Sequence, residues 1–203
     1  MPTAKVSPRK AEIIRIAGEL FAEQGFQGTS LRDIGQAVEL RRGSLYSHFS
    51  SKEEILKMLL APAVEELIEV LDGVAAQPGT GREKLGRALS EALACGRRHR
   101  NAILVLFQDR QLIEDSPVLR EVSEAAKGIT PKWLSFIAAG QGDGTIRADI
   151  APATIVVALI SLLVGALSDR HLGIYAAGAA PLSTPEELGQ VAATLIFEGI
   201  EPR

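Results

Sequence analysis

Nowhere in its 203 residues does the chain alternate apolar and polar residues over a useful length, whereas apolar residues recur at helical spacing almost throughout. A half-buried strand needs a period of two and an amphipathic helix a period of 3.6. The pattern therefore excludes a sheet-based core and predicts an all-α protein of about nine helices. A chain of this length makes one large domain or a small one plus a larger one, and buries roughly 70% of its unfolded surface. Apolar residues make up 46% and charged residues 23%, a globular rather than a disordered composition.

Pro8 opens the first helix, with Ile13, Ala17, Leu20 and Phe21 on one face, and Gly25 ends it. Thr29 or Ser30 caps a short second helix whose Leu31, Ile34 and Val38 face inward. A third runs from about Arg41 to Phe49. Ser51 with Glu54 forms a capping box for a fourth, reaching about Ala76, in which Pro62 predicts a kink. Thr80 with Glu83 caps the next helix, and others are expected over 101–112, 117–139 and about 152–175. The last helix has the clearest signal. Thr184, Pro185 and Glu187 provide cap, first-turn proline and third-position carboxylate, and Leu188, Val191, Ala192, Leu195 and Ile196 form one apolar stripe.

Residues 151–168 carry no charge over 18 positions, the lower edge of a spanning helix. Many are Ala, Ser, Thr or Gly, and no basic cluster or aromatic belt flanks them, so the segment reads as a buried core or interface helix and no membrane partner is expected. Cys95, the one cysteine, has no intramolecular partner, and no basic-then-apolar leader opens the chain; both fit a reduced cytoplasmic protein.

The net charge of −3 is unevenly spread: residues 1–57 hold 9 Lys/Arg against 7 Asp/Glu, and residues 58–203 hold 13 against 18. That asymmetry points only weakly to nucleic acid. The spacing of the second and third helices is more telling. They are short and separated by a few residues around Glu39 and Leu40, as in a helix-turn-helix whose second helix enters the major groove. The stretch RRGSLYSHFSSKEE at 41–54 then makes chemical sense. Leu45 and Phe49 supply the packing side, and Gly43 and Ser44 allow close backbone approach. Arg41 and Arg42 reach guanine edges or phosphates, while Tyr46, Ser47 and His48 carry donors for the DNA backbone. Lys52, in the first turn of the fourth helix, stands where free N–H groups already favour a phosphate.

The segment TSLRDIGQAVELRRGSLYSHFSSKEEIL, preceded by AGELFAEQGFQGTS, resembles the DNA-binding domain of the TetR family of bacterial transcriptional regulators. The matching residues are Ala17, Leu20, Phe21, Gly25, Thr29, Asp33, Ile34, Gly43, Leu45, Tyr46, His48, Phe49, Ser51 and Lys52. The resemblance covers about residues 9–57 and implies a helix-turn-helix domain at 1–50 and an effector-binding and dimerisation domain at 51–203. It adds Thr29 and Ser30 to the DNA-contacting set of Arg41, Arg42, Gly43, Ser44, Tyr46, Ser47, His48 and Lys52. Two positions depart from the family pattern. Glu39 stands where a glycine suited to positive φ is usual, and Arg41 stands where a small hydroxyl residue often starts the recognition helix. A left-handed non-glycine residue costs roughly 1 kcal/mol, which touches turn geometry and base preference more than the fold.

The resemblance further implies a homodimer whose last two helices pair across a two-fold axis. Leu163 of the uncharged helix and the stripe of Leu188, Val191, Ala192, Leu195 and Ile196 offer more apolar area than one monomer covers. It also implies an effector pocket, for which Leu106, Phe107, Trp133 and Phe136 are the candidate lining; as plain core residues they are equally well explained. A mostly apolar wall suits an apolar or amphipathic effector. FQD at 107–109, Trp133, the DGTIRADI turn and the segment from Leu182 to Gly199 resemble, more loosely, members that sense acyl-CoA thioesters, with Arg97, Arg98 and Arg100 available to an anionic head group.

Cys95 and His99 share a helix face at i, i+4, but no further His or Cys completes a metal site. No catalytic triad, carboxylate pair or phosphate loop stands out; GQGDG at 140–144 follows a helix rather than a strand and reads as a turn. The expectation is a non-enzymatic repressor without cofactor or metal, bound to double-stranded DNA and released by an effector. The alternative is a helical adaptor or membrane-associated protein without sequence-specific DNA binding.

Overall fold

The computed structural model describes residues 7–39, 45–167, 194 and 198–201. Among them the chain forms α1 (Pro8–Gln24), α2 (Leu31–Ala37), a 3-10 turn at Leu45–Ser47, α3 (Lys52–Ala76), α4 (Gly81–Arg98), α5 (Arg100–Gln108), α6 (Arg110–Asp115), a 3-10 turn at Pro117–Leu119, α7 (Arg120–Lys127), α8 (Ile129–Gly142) and α9 (Pro152–Leu167). There is no strand among the described residues. Of the expected last helix, Thr194, Glu198 and Gly199 are described and helical, while Leu188, Val191, Ala192, Leu195 and Ile196 lie outside the described residues, as do Arg41, Arg42, Gly43 and Ser44.

Two expected helices are divided, each for a visible reason. The segment expected as 117–139 becomes a 3-10 turn, α7 and α8. The chain turns at Gly128, and Pro131, which has no N–H to return to Lys127, removes a hydrogen bond that would join α7 to α8. The segment expected as 101–112 breaks at Asp109, which leaves helical geometry at φ −110°, ψ 28°. Its carboxylate instead accepts the backbone N–H of Phe26 at 3.2 Å. Helix α3, by contrast, runs unbroken past Pro62.

The chain packs as two compact units, 1–64 with 101–124 and 65–100 with 125–203. In the first, Ile13, Ala17 and Phe21 of α1, Ile34 of α2, and Ile55, Leu56 and Leu60 of α3 are all buried. The Phe21 and Phe26 rings lie 5.1 Å apart. Gly18 of α1 stands so near α3 that an added Cβ would come 3.0 Å from Leu59 Cδ1.

The second unit gathers Leu71 and Val74 of α3, Leu85 and Leu89 of α4, Trp133, Phe136 and Ile137 of α8, and Ile155 and Leu159 of α9 into one apolar cluster. Each such side chain contributes about 1.5–3 kcal/mol by leaving water. Gly81 lets α4 begin against the backbone of α8, for a Cβ there would fall 2.0 Å from Gly140 N. The expected turn at 140–144 is tied down. Gln141 and Gly142 belong to α8, and Asp143 accepts from Gly81 N at 2.7 Å and from Thr145 N and Oγ1 at 3.0 and 2.5 Å. These bonds, the Thr145 hydroxyl foremost and then the Gly81 N–H, hold the Asp143 carboxyl below the usual carboxylate range.

Candidate nucleic-acid interface

Local capping chemistry builds the helix-turn-helix region. Ser7 Oγ accepts from Lys10 N at the start of α1, and Gly25 closes that helix with φ 79°, a conformation glycine adopts without a Cβ clash. Of the two candidate caps for α2, Ser30 is the one used. Its hydroxyl accepts from Asp33 N at 3.2 Å, and Asp33 in turn accepts from Ser30 N at 2.8 Å and Ser30 Oγ at 2.6 Å. The Ser30 donors hold the Asp33 carboxyl below its ordinary value. Thr29 is buried, and its hydroxyl donates to the Gly25 and Leu20 carbonyls at 2.9 and 3.3 Å. Its side chain therefore serves the turn between α1 and α2.

Helix α2 ends at Ala37 with Val38 as its C-cap, and Glu39 follows with φ 52°, the left-handed geometry expected of this turn position. Among the described residues it is the only non-glycine with positive φ. The guanidinium of Arg9 donates to Val38 O at 2.9 Å and so satisfies a carbonyl that the helix end leaves without a partner. After the undescribed residues 40–44, Leu45 and Phe49 are both buried, and the N–H groups of His48 and Phe49 return to Leu45 O at 2.9 and 3.0 Å. Tyr46 is 67% exposed, Ser47 is exposed and His48 half-buried. Packing side and open side thus separate within one turn.

Lys52 is placed otherwise than a phosphate-bound lysine. Its ammonium donates to Phe26 O at 2.6 Å and Thr29 O at 2.8 Å, and lies 4.2 Å from the centre of the Phe26 ring. Burial lowers its pKa, opposed by the charges of Glu53 and Asp109. The cap of α3 is also shifted by one residue from the expected pairing. Ser51 Oγ accepts from Glu54 N at 3.1 Å, but the Glu54 carboxylate accepts from Ser50, N and Oγ both at 2.7 Å. Those bonds draw the Glu54 carboxyl down. Arg9 and Asp109 were missed as organisers of this region, because each acts on a residue far along the chain and no local pattern announces it.

The expected pocket lining is distributed. Trp133 and Phe136 pack edge to face, centroids 6.3 Å apart, inside the buried cluster of the second unit. Leu106 and Phe107 belong to the first unit, where Leu106 is half-buried and Phe107 is 47% exposed. An open depression of about 590 Å³ in that unit is lined mostly by polar residues, among them Gln27, Gln108, Asp109 and Asp115. On α9, Leu163 is partly buried against the second unit's cluster, whereas Val157 and Leu162 are 66% and 40% exposed. No helix among the described residues is long and apolar enough to cross a membrane.

A third cluster lies in the second unit. Glu66 of α3 meets Cys95 of α4 and His99 just beyond it, one ligand-type atom from each lying within 4.8 Å of the others. His99 Nε2 is 2.7 Å from Glu66 Oε2, while Arg98 donates from Nε and Nη2 to Glu66 Oε1. Arg98 first, then His99, hold the Glu66 carboxyl low. Burial, helped by the Glu66 charge, pushes the Cys95 thiol up.

An all-α chain whose N-terminal helices form a capped helix-turn-helix, with its open side carrying Tyr46 and its packing side Leu45 and Phe49, is a helix-turn-helix transcriptional regulator. Residues 13–59 match the model of the bacterial regulatory proteins of the tetR family. The chain is 31% identical to the HTH-type transcriptional repressor KstR2 of Mycolicibacterium smegmatis over 147 residues, 70% of this chain and 69% of that protein. It belongs to the TetR family. The structure of the ketosteroid transcriptional regulator KstR2 of Mycobacterium tuberculosis superposes with a TM-score of 0.82 over the whole of both chains, at 21% identity. That of AibR, in complex with isovaleryl coenzyme A and operator DNA, has a TM-score of 0.71 at 18% identity, over 93% of this chain and 98% of AibR.

Proposed function

We propose that the protein is a cytoplasmic, homodimeric repressor that binds a near-palindromic operator and leaves it when a small apolar or amphipathic effector, an acyl-CoA being the foremost candidate, binds the second unit. The observation that carries this reading is the family match, which spans the helix-turn-helix from Ile13 to Leu59 and extends as similarity to repressors well beyond it. Two recognition segments would meet major grooves about 34 Å apart. Arg41, Arg42, Gly43, Ser44, Tyr46, Ser47 and His48 are the proposed contact set. Thr29 and Lys52 act one step removed, by fixing the turn between α1 and α2.

The exposed Val157 and Leu162, with the stripe from Leu188 to Ile196, form the proposed dimer face. Leu163 contributes from the side that packs on the core. Trp133 and Phe136 are the pocket residues the second unit retains. Because both are packed, a ligand that reaches them must displace core contacts, which would couple its binding to the arrangement of α3, α8 and α9. AibR, a structural neighbour crystallised with isovaleryl coenzyme A, supports the choice of effector class.

The test is selection of bound sequences from random duplex DNA with the parent and with Tyr46→Ala. Enrichment of a palindrome by the parent, weakened in the variant, is expected. Failure of the parent to enrich any sequence at low salt would overturn the repressor reading. The operator so obtained then reports release by a series of acyl-CoAs.

A further inference from the structure

The geometry points to a divalent zinc-type site formed by Glu66, Cys95 and His99, a role independent of DNA binding and of the effector. The three residues bring a carboxylate oxygen, a thiol sulfur and an imidazole nitrogen within 4.8 Å of one another. Cys95 and His99 stand one helical turn apart on one face of α4 and its end. Glu66 arrives from α3, 29 positions before Cys95, which is why a search for neighbouring ligands along the chain does not find it.

The donor set selects the ion. Mixed nitrogen, sulfur and oxygen ligands suit a borderline-soft cation such as Zn²⁺, whereas an all-oxygen shell would suit Mg²⁺ or Ca²⁺. Bond lengths of about 2.0–2.3 Å place two ligand atoms on a tetrahedral ion about 3.3–3.8 Å apart. The Glu66 Oε2–His99 Nε2 separation of 2.7 Å must open slightly to reach that range. The widest separation, at most 4.8 Å, must close by no more than about 1 Å. Three protein ligands leave the fourth position to water.

Arg98 does not close the site. Both its donors go to Glu66 Oε1, which leaves Oε2 turned towards His99. It therefore orients the carboxylate in the way an outer-shell partner orients a ligand. On binding, the thiol proton leaves to water and the imidazole carries its proton on Nδ1, freeing a lone pair on Nε2. The ion then holds α3 against α4 within the second unit.

The experiment is titration of the untagged, reduced, metal-free full chain with Co²⁺, followed by Zn²⁺. One Co²⁺ per chain is expected, with tetrahedral visible bands and a thiolate-to-metal charge-transfer band that Zn²⁺ abolishes. As Cys95 is the only cysteine, that band assigns the sulfur without any variant. Glu66→Gln and Cys95→Ser, checked for helicity by circular dichroism, should each bind about tenfold more weakly or worse. Absence of the charge-transfer band at saturating Co²⁺, or parental affinity in Cys95→Ser, overturns the site. Should a variant fail to fold, the parent spectrum alone decides.

Discussion

Lys52 and Asp109 hold the same residue from its two ends: Lys52 Nζ donates to Phe26 O at 2.6 Å, and Asp109 Oδ2 accepts from Phe26 N at 3.2 Å. Phe26 lies in the turn between α1 and α2, so two side chains distant in sequence fix where α2 begins. For a residue placed at the start of α3, where a phosphate would be welcome, this is a structural duty.

Lys52→Ala should consequently lower stability by about 1.5–3 kcal/mol, the range for hydrogen bonds made by a charged group. Urea unfolding measures it. Operator affinity should fall through the fold, with the slope of log K against log salt unchanged. A slope reduced by about one would return Lys52 to a phosphate contact.

Glu39→Gly should stabilise the protein by a few tenths of a kcal/mol, less than about 1 kcal/mol. The left-handed backbone at φ 52° carries a Cβ cost that glycine lacks, partly offset by glycine's greater freedom when unfolded. The denaturant midpoint should rise with an unchanged m-value. No rise would mean that neighbouring contacts already compensate for the strain.

Leu45 and Tyr46 are adjacent and should behave oppositely. Leu45 is 4% exposed, and Leu45→Ala should cost about 2–5 kcal/mol of stability. Tyr46→Ala should stay within about 0.5 kcal/mol of the parent in unfolding yet weaken operator binding. Paired melting and DNA-binding curves separate the two. Equal operator affinity for parent and Tyr46→Ala would remove Tyr46 from the contact set.

Acid should weaken the helix caps. Asp33 and Glu54 both have folded pKa values below their ordinary ones, chiefly through Ser30 and Ser50 respectively. Their contribution is complete above the ordinary carboxylate pKa of about 4 and is lost as pH falls through the lowered folded values. Asp33→Asn and Glu54→Gln should be less stable than the parent at neutral pH, and the difference should shrink below about pH 4. Melting temperatures across that range give the comparison.

Val157→Glu combined with Leu162→Glu should convert a dimer to a monomer without loss of helicity, because neither side chain is part of the buried cluster. Sedimentation at micromolar concentration reads this directly. An unchanged dimer would move the interface off α9.

Sequence alone determined what depends on neighbours along the chain. The all-helical class, the Pro8 start and Gly25 stop of α1, the extent of α3, and the burial of Leu45 and Phe49 all follow from spacing, caps and turn chemistry acting over one or two helical turns, while the left-handed position at Glu39 followed from the family resemblance. Tertiary structure decided whatever needs two distant segments. It sent Lys52 to backbone carbonyls, placed Asp109 against Phe26, capped α2 with Arg9, and brought Glu66 to Cys95 and His99. It also turned Val157 and Leu162 outward while leaning Leu163 on the core, a distinction of single positions on a helix apolar nearly all round. Periodicity names a face only where polar residues mark the other. Long-range hydrogen bonds leave no periodic trace at all.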